Sequence, residues 1–445
     1  MQNLKKFHVQ NKILRRNKKM DLTGKRLLVL GGVAMIMELV ENARSRGAYV
    51  IVSDYYENSP AKSIADEAWL ISTADIDTLA EKCIASNVDG VISGFDDFNV
   101  ICSQRLSERI GKPFYATESQ VTTTMDKAGF KKLCRGNNVP STPEYSVASE
   151  VSADWLKNIS YPVIIKPVDS SGNRGITICN SEEELINAHK KALKTSKKGN
   201  IILEKYISGD QVGVNYILQD GEIYPSVLHD RYMQEGDGIH VPLPVAYVYP
   251  SKYTDSYLDK ENEKVVAMFR SIGMKNGTLF LQGCVEDGIV YFYEMGYRIN
   301  GAKQYQILDA LCGFNPMEMV VNYSLTGHME DYRIRDFVQP KLPKTCCTLS
   351  IIARPSRIKK IIGVDEIKSW EETLGVTLWY HEGDEIAEDA LGTQRQICIR
   401  VTVAAKDTEE LAKIIDRVYS TLDVLDYNDN SILLPQFDTK RLFED

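Results

Sequence analysis

The stretch Val163 to Ile176, VIIKPVDSSGNRGI, places a lysine at the end of an apolar run. The apolar residues before Lys166 predict a short core strand. The loop that follows, residues 169–175, contains glycines and serines, so its backbone amides can approach a ligand closely. A lysine beside exposed amides suits an anion, most simply a phosphate. The alternative is a strand that ends in a solvated lysine and an ordinary turn, because glycine loops are common.

Three further groups of charged side chains follow a fixed order along the chain. Asp126 and Lys127 begin a predicted helix, KAGFKKLCRGNNVP. Glu204–Ile207, with the sequence EKYI, ends another predicted strand, and Glu294 and Arg298 stand in YFYEMGYRING at the end of a predicted hairpin. Each group also has a plain structural interpretation. The lysine could lie on a helix surface, the Glu-Lys pair could be solvated, and the arginine could be a salt-bridge partner.

Residues 21–115 predict a small parallel α/β unit. KRLLVLGGVAMIMELVENARSRGAYVIVSDYY has the pattern of a strand, a glycine turn, a helix and a strand that ends at Asp54. Further strands are predicted at Val91–Ser93 and Pro113–Tyr115, between helical patterns. A glycine turn followed by Asp54 also suggests a dinucleotide site. However, GGVAMI lacks the third glycine of GxGxxG, which weakens that alternative.

The middle of the chain predicts antiparallel structure. Ser181 and Glu184 form a capping box that begins a helix. Two hairpins are predicted, one that turns at Asp220–Gly221 and one that turns at Glu286–Asp287–Gly288.

After about Asp331 the pattern changes again. Strands are predicted at Cys347–Ala353 and Gln396–Ala404 around a loop-rich segment, and Asp407 caps a later helix. The adjacent Cys346 and Cys347 are expected to alternate between the faces of a strand, and they do not suggest a metal site.

Composition excludes several classes of function. The 53 basic and 61 acidic residues give a net charge of -8, which argues against a general nucleic-acid surface. No apolar run has membrane-spanning length. Nine cysteines without CxxC spacing fit reduced thiols in a cytoplasmic protein, and six histidines without an HxxxH pattern give little support to a zinc site. The basic residues 1–20 predict a flexible extension, with an interaction tail as the alternative.

The order and spacing of these motifs resemble the ATP-grasp superfamily, which includes biotin carboxylase, D-alanine–D-alanine ligase and L-amino-acid ligases. The resemblance implies an α/β and α+β fold. A Rossmann-like pre-ATP-grasp domain over residues 21–115 would follow the extension, with a two-lobed ATP-grasp domain over 116–330. An α+β C-terminal domain over 331–445 would complete the chain, and it looks most like that of bacterial L-amino-acid ligases.

The resemblance also implies cofactors and roles for individual residues. ATP and Mg²⁺, or Mn²⁺ in its place, are the implied cofactors. The implied ATP-binding residues are Lys127, Lys166, Ser170, Ser171, Gly172, Gly175, Glu204, Lys205, Tyr206, Ile207 and Gln211. The implied metal ligands are Glu294 and Gln282, the implied catalytic residues are Arg298 and Lys166, and the candidate substrate residues are Arg231, His240 and Asn300. The lysines would offset phosphate charge, and residues 204–207 would read adenine through main-chain groups.

Three positions depart from the family pattern. Gln282 stands where a second acidic metal ligand is usual, Gly296 stands where asparagine is usual, and Gln211 stands where an acidic ribose contact is frequent. An amide oxygen can coordinate Mg²⁺, but it removes one negative charge. Asn300 could compensate for Gly296. The departures imply either weaker metal binding or a loss of activity.

The activity implied by the resemblance is ATP-dependent joining of a small carboxylate to an amine or a thiol, through an acyl phosphate. Nucleic-acid and membrane partners are not expected, and a homodimer is allowed. The alternatives are a carboxylase or carbamoyl-phosphate-type enzyme, and a non-catalytic ATP-binding protein. In LHDRYMQEGDGIHVPLPVAYVYPSKY, Arg231 could hold a carboxylate and His240 could deprotonate the amine. The same segment could instead be a surface loop.

Overall fold

The computed structural model describes residues 19–148, 159–168, 175–197, 199–234 and 242–444. Ser170, Ser171, Gly172 and His240 therefore lie outside the described residues, as does most of the basic extension. Within the described part, no helix combines the length and the apolar content that a membrane crossing requires.

The N-terminal unit is a parallel sheet with strand order β3-β2-β1-β4. Its elements are β1 (Arg26–Leu30), α1 (Met37–Arg44), β2 (Tyr49–Ser53), β3 (Glu67–Trp69), α2 (Ile76–Ala85), β4 (Gly90–Ile92) and α3 (Asp97–Arg109). The strand predicted at Pro113–Tyr115 is wrong. Tyr115 is buried by side-chain packing and not by strand pairing, since its ring packs edge-on against Tyr297 and its hydroxyl donates to the Tyr297 carbonyl at 2.9 Å.

Asp54 does not have the free carboxylate that the dinucleotide alternative needs. Its carboxylate accepts hydrogen bonds from the amides of Gly32, at 2.7 Å, and Tyr56, at 2.8 Å. The acidic group therefore holds the glycine turn in place.

A second, antiparallel sheet follows, with strand order β5-β8-β6-β7. The elements of this region are α4 (Glu118–Met125), α5 (Lys127–Gly136), β5 (Glu144–Ala148), β6 (Val163–Pro167), β7 (Thr177–Cys179), α6 (Glu182–Thr195) and β8 (Ile201–Lys205). Ser181 accepts a hydrogen bond from the Glu184 amide at 3.3 Å, as predicted for the start of α6. This small sheet has its own core, to which Val163, Leu185 and Leu203 belong.

Both predicted hairpins form in the next region. Its elements are β9 (Gln211–Gln219), β10 (Glu222–Met233), β11 (Pro244–Tyr249), α7 (Thr254–Lys260), α8 (Asn262–Ser271), β12 (Gly277–Glu286) and β13 (Ile289–Gly296). The turns at Asp220–Gly221 and Asp287–Gly288 have positive φ at both residues, the geometry that suits two-residue hairpins. The surface-loop alternative for the segment around Arg231 is wrong in its described part, because β10 and β11 pair there as buried strands.

The loop-rich segment expected after residue 353 contains strands instead. The C-terminal elements are α9 (Gln304–Cys312), α10 (Pro316–Thr326), β14 (Thr345–Ile352), β15 (Ser356–Ile362), α11 (Val364–Lys368), β16 (Thr373–Leu378), β17 (Glu385–Ile386), β18 (Ile397–Ala405), α12 (Thr408–Thr421) and β19 (Asp423–Asp426). Most side chains of β15 are only partly buried or exposed, so the strand lacks a clear apolar alternation. As predicted, Asp407 caps α12, and Cys346 and Cys347 pack into different core clusters.

One large sheet joins the middle and C-terminal regions. Its strand order is β13-β12-β9-β10-β11-β14-β18-β16. The pairing of β11 with β14 links the two sides of the domain boundary predicted at residue 331. The arrangement places strands from both regions along the wall of a single cavity.

Candidate active site

The cavity has a volume of about 680 Å³ and lies where the two antiparallel sheets meet the N-terminal unit. Such a volume suits a nucleotide-sized ligand. The structure brings twelve of the sequence-predicted site residues to its lining. They are Lys127, Lys166, Glu204, Lys205, Tyr206, Ile207, Gln211, Arg231, Gln282, Glu294, Arg298 and Asn300. Gly175 does not line the cavity, although its neighbour Ile176 does.

A triad of Lys131, Lys166 and Glu204 forms the buried floor of one wall. Asp126 caps α5 by accepting from the Gly129 amide at 2.9 Å, and this start places Lys127 and Lys131 one turn apart on the buried face. The Lys131 ammonium lies 2.5 Å from Glu204 Oε1, and Lys166 pairs with Glu204 Oε2. All three side chains are almost completely buried.

Within this lysine–glutamate triad, each charged group stabilises the ionised form of its partner. Burial alone would raise the pKa of Glu204, but Lys166 and Lys131 hold it below its usual value. Burial lowers the pKa of Lys131, and Glu204 partly offsets that effect. Burial also lowers the pKa of Lys127, and the nearby Glu294 is the main group that opposes the change. Lys127 and Lys166 thus line the cavity, and the carboxylate of Glu204 behind them is already paired with Lys131 and Lys166.

Two backbone amides of the segment Glu204–Ile207, which is predicted to bind adenine, already have hydrogen-bond partners in the fold. The backbone amide of Lys205 donates to the Pro143 carbonyl oxygen at 2.9 Å, and the backbone amide of Tyr206 donates to the Pro162 carbonyl oxygen at 3.2 Å. Recognition of adenine through these two amides would require those bonds to break. The Lys205 side chain pairs with Glu286 at 2.8 Å.

A β-bulge brings two consecutive residues of β13 to the cavity. Gln282 lies opposite Glu294, whereas Gly283 lies opposite Phe292, so Tyr293 is the extra residue. Tyr293 and Glu294 therefore both line the cavity instead of alternating between faces. A Cβ atom at Gly283 would lie 2.8 Å from Val290, which explains the glycine beside the bulge.

Arg231 is the centre of a cluster that also contains Gln211, Gln282 and Tyr293, referred to below as the amide–arginine cluster. Its Nη1 donates to Gln211 Oε1 at 3.1 Å, Gln282 Oε1 at 3.0 Å and the Tyr293 hydroxyl at 2.5 Å. In this geometry the amide oxygen of Gln282 accepts from a guanidinium, so a metal ion on that oxygen would lie beside Arg231, and the metal-ligand role of Gln282 stays a prediction. The amide oxygen of Gln211 is engaged in the same way, and its contact with ATP stays a prediction.

Arg298 joins the large sheet to the N-terminal unit. Its Nη2 lies 3.2 Å from Asp97 Oδ2, at the start of α3, and its Nε also donates to Asp97. The guanidinium lies 5.0 Å from the Phe280 ring. The same ring accounts for Gly296, because a Cβ there would lie 2.5 Å from it. The salt-bridge interpretation of Arg298 is therefore correct, and the side chain nevertheless lines the cavity.

Asn300 is held by the fold. Its Nδ2 donates to Asn215 Oδ1 at 3.2 Å, and its Oδ1 accepts from the Ala302 amide at 3.0 Å. Compensation for Gly296 by this side chain is not supported, since both of its polar atoms have structural partners.

Sequence reasoning missed Lys131 and a further arginine, Arg400. Arg400 lies on β18, lines the cavity and donates to the Gly301 carbonyl. Its guanidinium lies 5.2 Å from the Trp379 ring and 5.4 Å from the Tyr247 ring. The sequence did contain a sign of this position, because Arg400 is the only charged residue in the apolar stretch ICIRVTVAA. A buried arginine in such a strand indicates a functional or paired position.

The residues present fit one divalent ion better than two. Glu294 is a hard oxygen donor at the cavity wall, and Mg²⁺ in nucleotide sites needs only one or two carboxylates besides phosphate oxygens. Among the described residues, no group of three or more histidine, cysteine, aspartate or glutamate side chains could hold a metal. Gln282 does not fit a second ligand position while Arg231 occupies its oxygen.

Residues 126–224 match the family model described as the carbamoyl-phosphate synthase L chain, ATP binding domain. The chain is 30% identical over 190 residues to a formate-dependent phosphoribosylglycinamide formyltransferase of Prochlorococcus marinus. That match covers 42% of this chain and 48% of the relative, so the chain spans about half the length of that curated relative.

Two solved structures resemble nearly the whole chain. The L-amino acid ligase from Bacillus licheniformis has a TM-score of 0.74 at 17% identity, over 93% of this chain and 100% of that chain. The biotin carboxylase domain of the Hydrogenobacter thermophilus 2-oxoglutarate carboxylase, in complex with MgADP and bicarbonate, has a TM-score of 0.74 at 18% identity. It covers 92% of this chain and 91% of that chain. At these identities the likeness establishes the fold.

Proposed function

We propose that this chain is an ATP-grasp protein and that it is an ATP-dependent ligase that joins a small carboxylate to an amine. A thiol is the alternative acceptor. The observation that carries the proposal is the cavity described above, which has lysines on one wall and the arginines Arg298 and Arg400 on others. A phosphate chain and a carboxylate are both anionic, and this cavity offers separate cationic groups to each.

Two lysines would hold the phosphate chain. Lys127 and Lys166 line the cavity beside the end of β6, and the loop after β6 was predicted to cover the phosphates. Their positive charge would stabilise the negative charge of a transferring phosphoryl group. The lysine–glutamate triad keeps Lys166 in one position, because Glu204 is itself held from the other side by Lys131. Glu294 would hold Mg²⁺ or Mn²⁺, which neutralises phosphate charge when it is bound.

The two arginines would orient the carboxylate. A guanidinium offers a planar fork of donors that matches two carboxylate oxygens. Arg298 is fixed by Asp97, and Arg400 is fixed by the Gly301 carbonyl and by flanking aromatic rings. Groups that are already positioned lose little conformational freedom when the substrate binds.

The reaction would proceed in two displacements. A carboxylate oxygen attacks the terminal phosphorus, the bond from that phosphorus to the ADP oxygen breaks, and an acyl phosphate forms. The amine nitrogen then attacks the acyl carbon, the carbon–oxygen bond to phosphate breaks, and the amine proton leaves to water. The products are an amide, ADP and inorganic phosphate. The matched proteins include a ligase and a carboxylase, which supports carboxylate activation as the class of chemistry.

A non-catalytic ATP-binding protein is the second candidate. The observation that favours it is the engagement of Gln282 by Arg231, which leaves Glu294 as the principal metal ligand.

The deciding experiment measures ADP release with pooled acids and amines, then traces heavy oxygen from labelled carboxylate. We expect ADP and phosphate in equal amounts with the amide, and one labelled oxygen in the released phosphate. AMP and pyrophosphate, or unlabelled phosphate, would overturn the acyl-phosphate mechanism. ADP release with bicarbonate alone would indicate a carboxylase. Nucleotide binding without turnover in the full pool would favour the non-catalytic candidate.

A further inference from the structure

The hydrogen-bond acceptors of Arg231 are all neutral, although the carboxylate of Glu294 lies near enough to help raise the pKa of the guanidinium. Its three hydrogen-bond acceptors are the amide oxygens of Gln211 and Gln282 and the hydroxyl of Tyr293. Within the described part of the chain, Arg231 takes part in no salt bridge, in contrast to Arg298, which pairs with Asp97. Neutral acceptors position a guanidinium without cancelling its charge. Arg231 therefore presents a fixed cation to the cavity that it lines.

The same side chain occupies the place where a second metal ion would need a ligand. Gln282 lies directly opposite Glu294 in the strand register, so an ion bridging the two would use Gln282 Oε1. That oxygen already accepts from Arg231 at 3.0 Å. A divalent ion and a guanidinium on one oxygen would lie within a few ångströms of each other, where their repulsion in a partly desolvated cavity is strong.

Arg231 also retains the means to bind an anion. Its Nε is buried and has no hydrogen-bond partner among the described residues. A buried donor without a partner is costly unless a ligand or water satisfies it. An arginine edge matches phosphate oxygens in direction as well as charge.

We propose that Arg231 replaces a second divalent ion in the nucleotide site, so that the chain binds ATP with a single metal ion, at Glu294. This inference rests on the proposed ATP site and deepens it. Arg231 supplies a permanent positive charge to the phosphates, whereas a metal ion would supply one that depends on its concentration. Gln211, Gln282 and Tyr293 hold that charge in place.

The test counts metal ions directly. Mn²⁺ is titrated into the full-length protein with saturating non-hydrolysable ATP analogue AMP-PNP, and bound Mn²⁺ is counted from the loss of the free-ion paramagnetic resonance signal. A protein-free AMP-PNP sample corrects for ions on unbound nucleotide. We expect one Mn²⁺ per wild-type complex and two in the double variant Arg231→Met with Gln282→Glu, which restores a carboxylate and removes the competing cation.

A second readout uses calorimetry of AMP-PNP in EDTA, without any metal. Arg231→Met should weaken this metal-free binding at least tenfold, whereas Arg335→Met should not, because Arg335 is an exposed arginine with partners Glu222 and Asp336. Circular dichroism confirms that each variant is folded. Two Mn²⁺ ions on the wild-type complex, or unchanged metal-free affinity in Arg231→Met, would overturn the inference. Folded wild-type protein that binds no AMP-PNP under any condition would overturn the proposed function itself.

Discussion

The two antiparallel sheets that line the cavity carry buried charge in different ways. In the small sheet, Glu204 lies between Lys131 and Lys166, so two of the three charges cancel. In the large sheet, Arg231 is held only by neutral partners such as Gln282. The first arrangement fixes geometry at a low electrostatic cost. The second keeps its full charge available to a ligand, so the two sheets differ in how much of their buried charge is offset, although each presents a cation, Lys166 or Arg231, to the cavity.

The largest effect is expected from Glu204→Gln, which leaves two buried ammonium groups without their carboxylate. Removal of one member of a buried ion pair typically costs about 3–5 kcal/mol, so the free energy of unfolding should fall by that amount. Urea denaturation provides the measurement. The matched control is Glu286→Gln, which breaks the half-exposed pair with Lys205 and should cost less than about 1 kcal/mol. Equal losses in the two variants would contradict the contrast between a buried triad and a surface pair.

The next effect concerns His229, a buried neighbour of Arg231 in the large sheet. Burial, with a smaller contribution from the charge of Arg231, lowers its pKa to about 3. Because the folded-state pKa is below the unfolded value of about 6.5, the contribution of His229 to stability is complete above pH 6.5 and is lost as the pH falls toward 3. At pH 5 the loss amounts to about 2 kcal/mol.

Urea denaturation at pH 7 and pH 5 tests this contribution. The His229→Gln variant should lose about 2 kcal/mol less than the wild type between the two pH values. His328→Gln serves as the control, because His328 is exposed, and it should follow the wild type. If His229→Gln shows the wild-type slope, His229 is not the group that responds to pH.

A third effect returns to the small sheet. Lys166→Met removes a phosphate cation but leaves Glu204 paired with Lys131, so the fold should survive. ATP affinity should fall at least tenfold, which corresponds to about 1.4 kcal/mol. Calorimetry measures it, with Lys252→Met as a control, since Lys252 is a partly exposed lysine paired with Asp210. Unchanged affinity in folded Lys166→Met would remove this lysine from the proposed phosphate site.

Local signals in the sequence were sufficient for much of the fold. The turns at Asp220–Gly221 and Asp287–Gly288, and the caps at Ser181 and Asp407, depend on residues a few positions apart, and all of them form as predicted. The predictions were wrong where contacts between residues distant in sequence determine the local structure. The strand predicted at Pro113–Tyr115 failed because Tyr115 is buried by Tyr297, which is distant in sequence.

The candidate site shows the same limit. The motifs of Lys127, Lys166 and Glu294 were visible, because they end or begin regular elements. The partners of these motifs were not visible. Arg231 meets Gln282 across 51 positions of sequence, and only the order of strands in the large sheet brings them together. Sequence reasoning therefore found candidate ligand contacts, but not the groups that already occupy them.

The smallest effect is expected from Gln282→Glu alone. The substitution restores a carboxylate opposite Glu294, and on charge alone it would be expected to lower the Mg²⁺ concentration that nucleotide binding requires. Arg231 lies 3.0 Å from the position of the new carboxylate and would form an ion pair with it. We therefore expect the Mg²⁺ requirement, measured by AMP-PNP calorimetry across a magnesium series, to change less than about threefold, since a neutralised carboxylate attracts a metal weakly. Addition of Arg231→Met to the same variant should lower the requirement clearly, because the carboxylate then has no competing cation. A large decrease in the Mg²⁺ requirement of Gln282→Glu alone would mean that Arg231 does not prevent a carboxylate at residue 282 from binding metal. The contrast drawn above between the charges of the two sheets would then be smaller than their hydrogen bonds indicate.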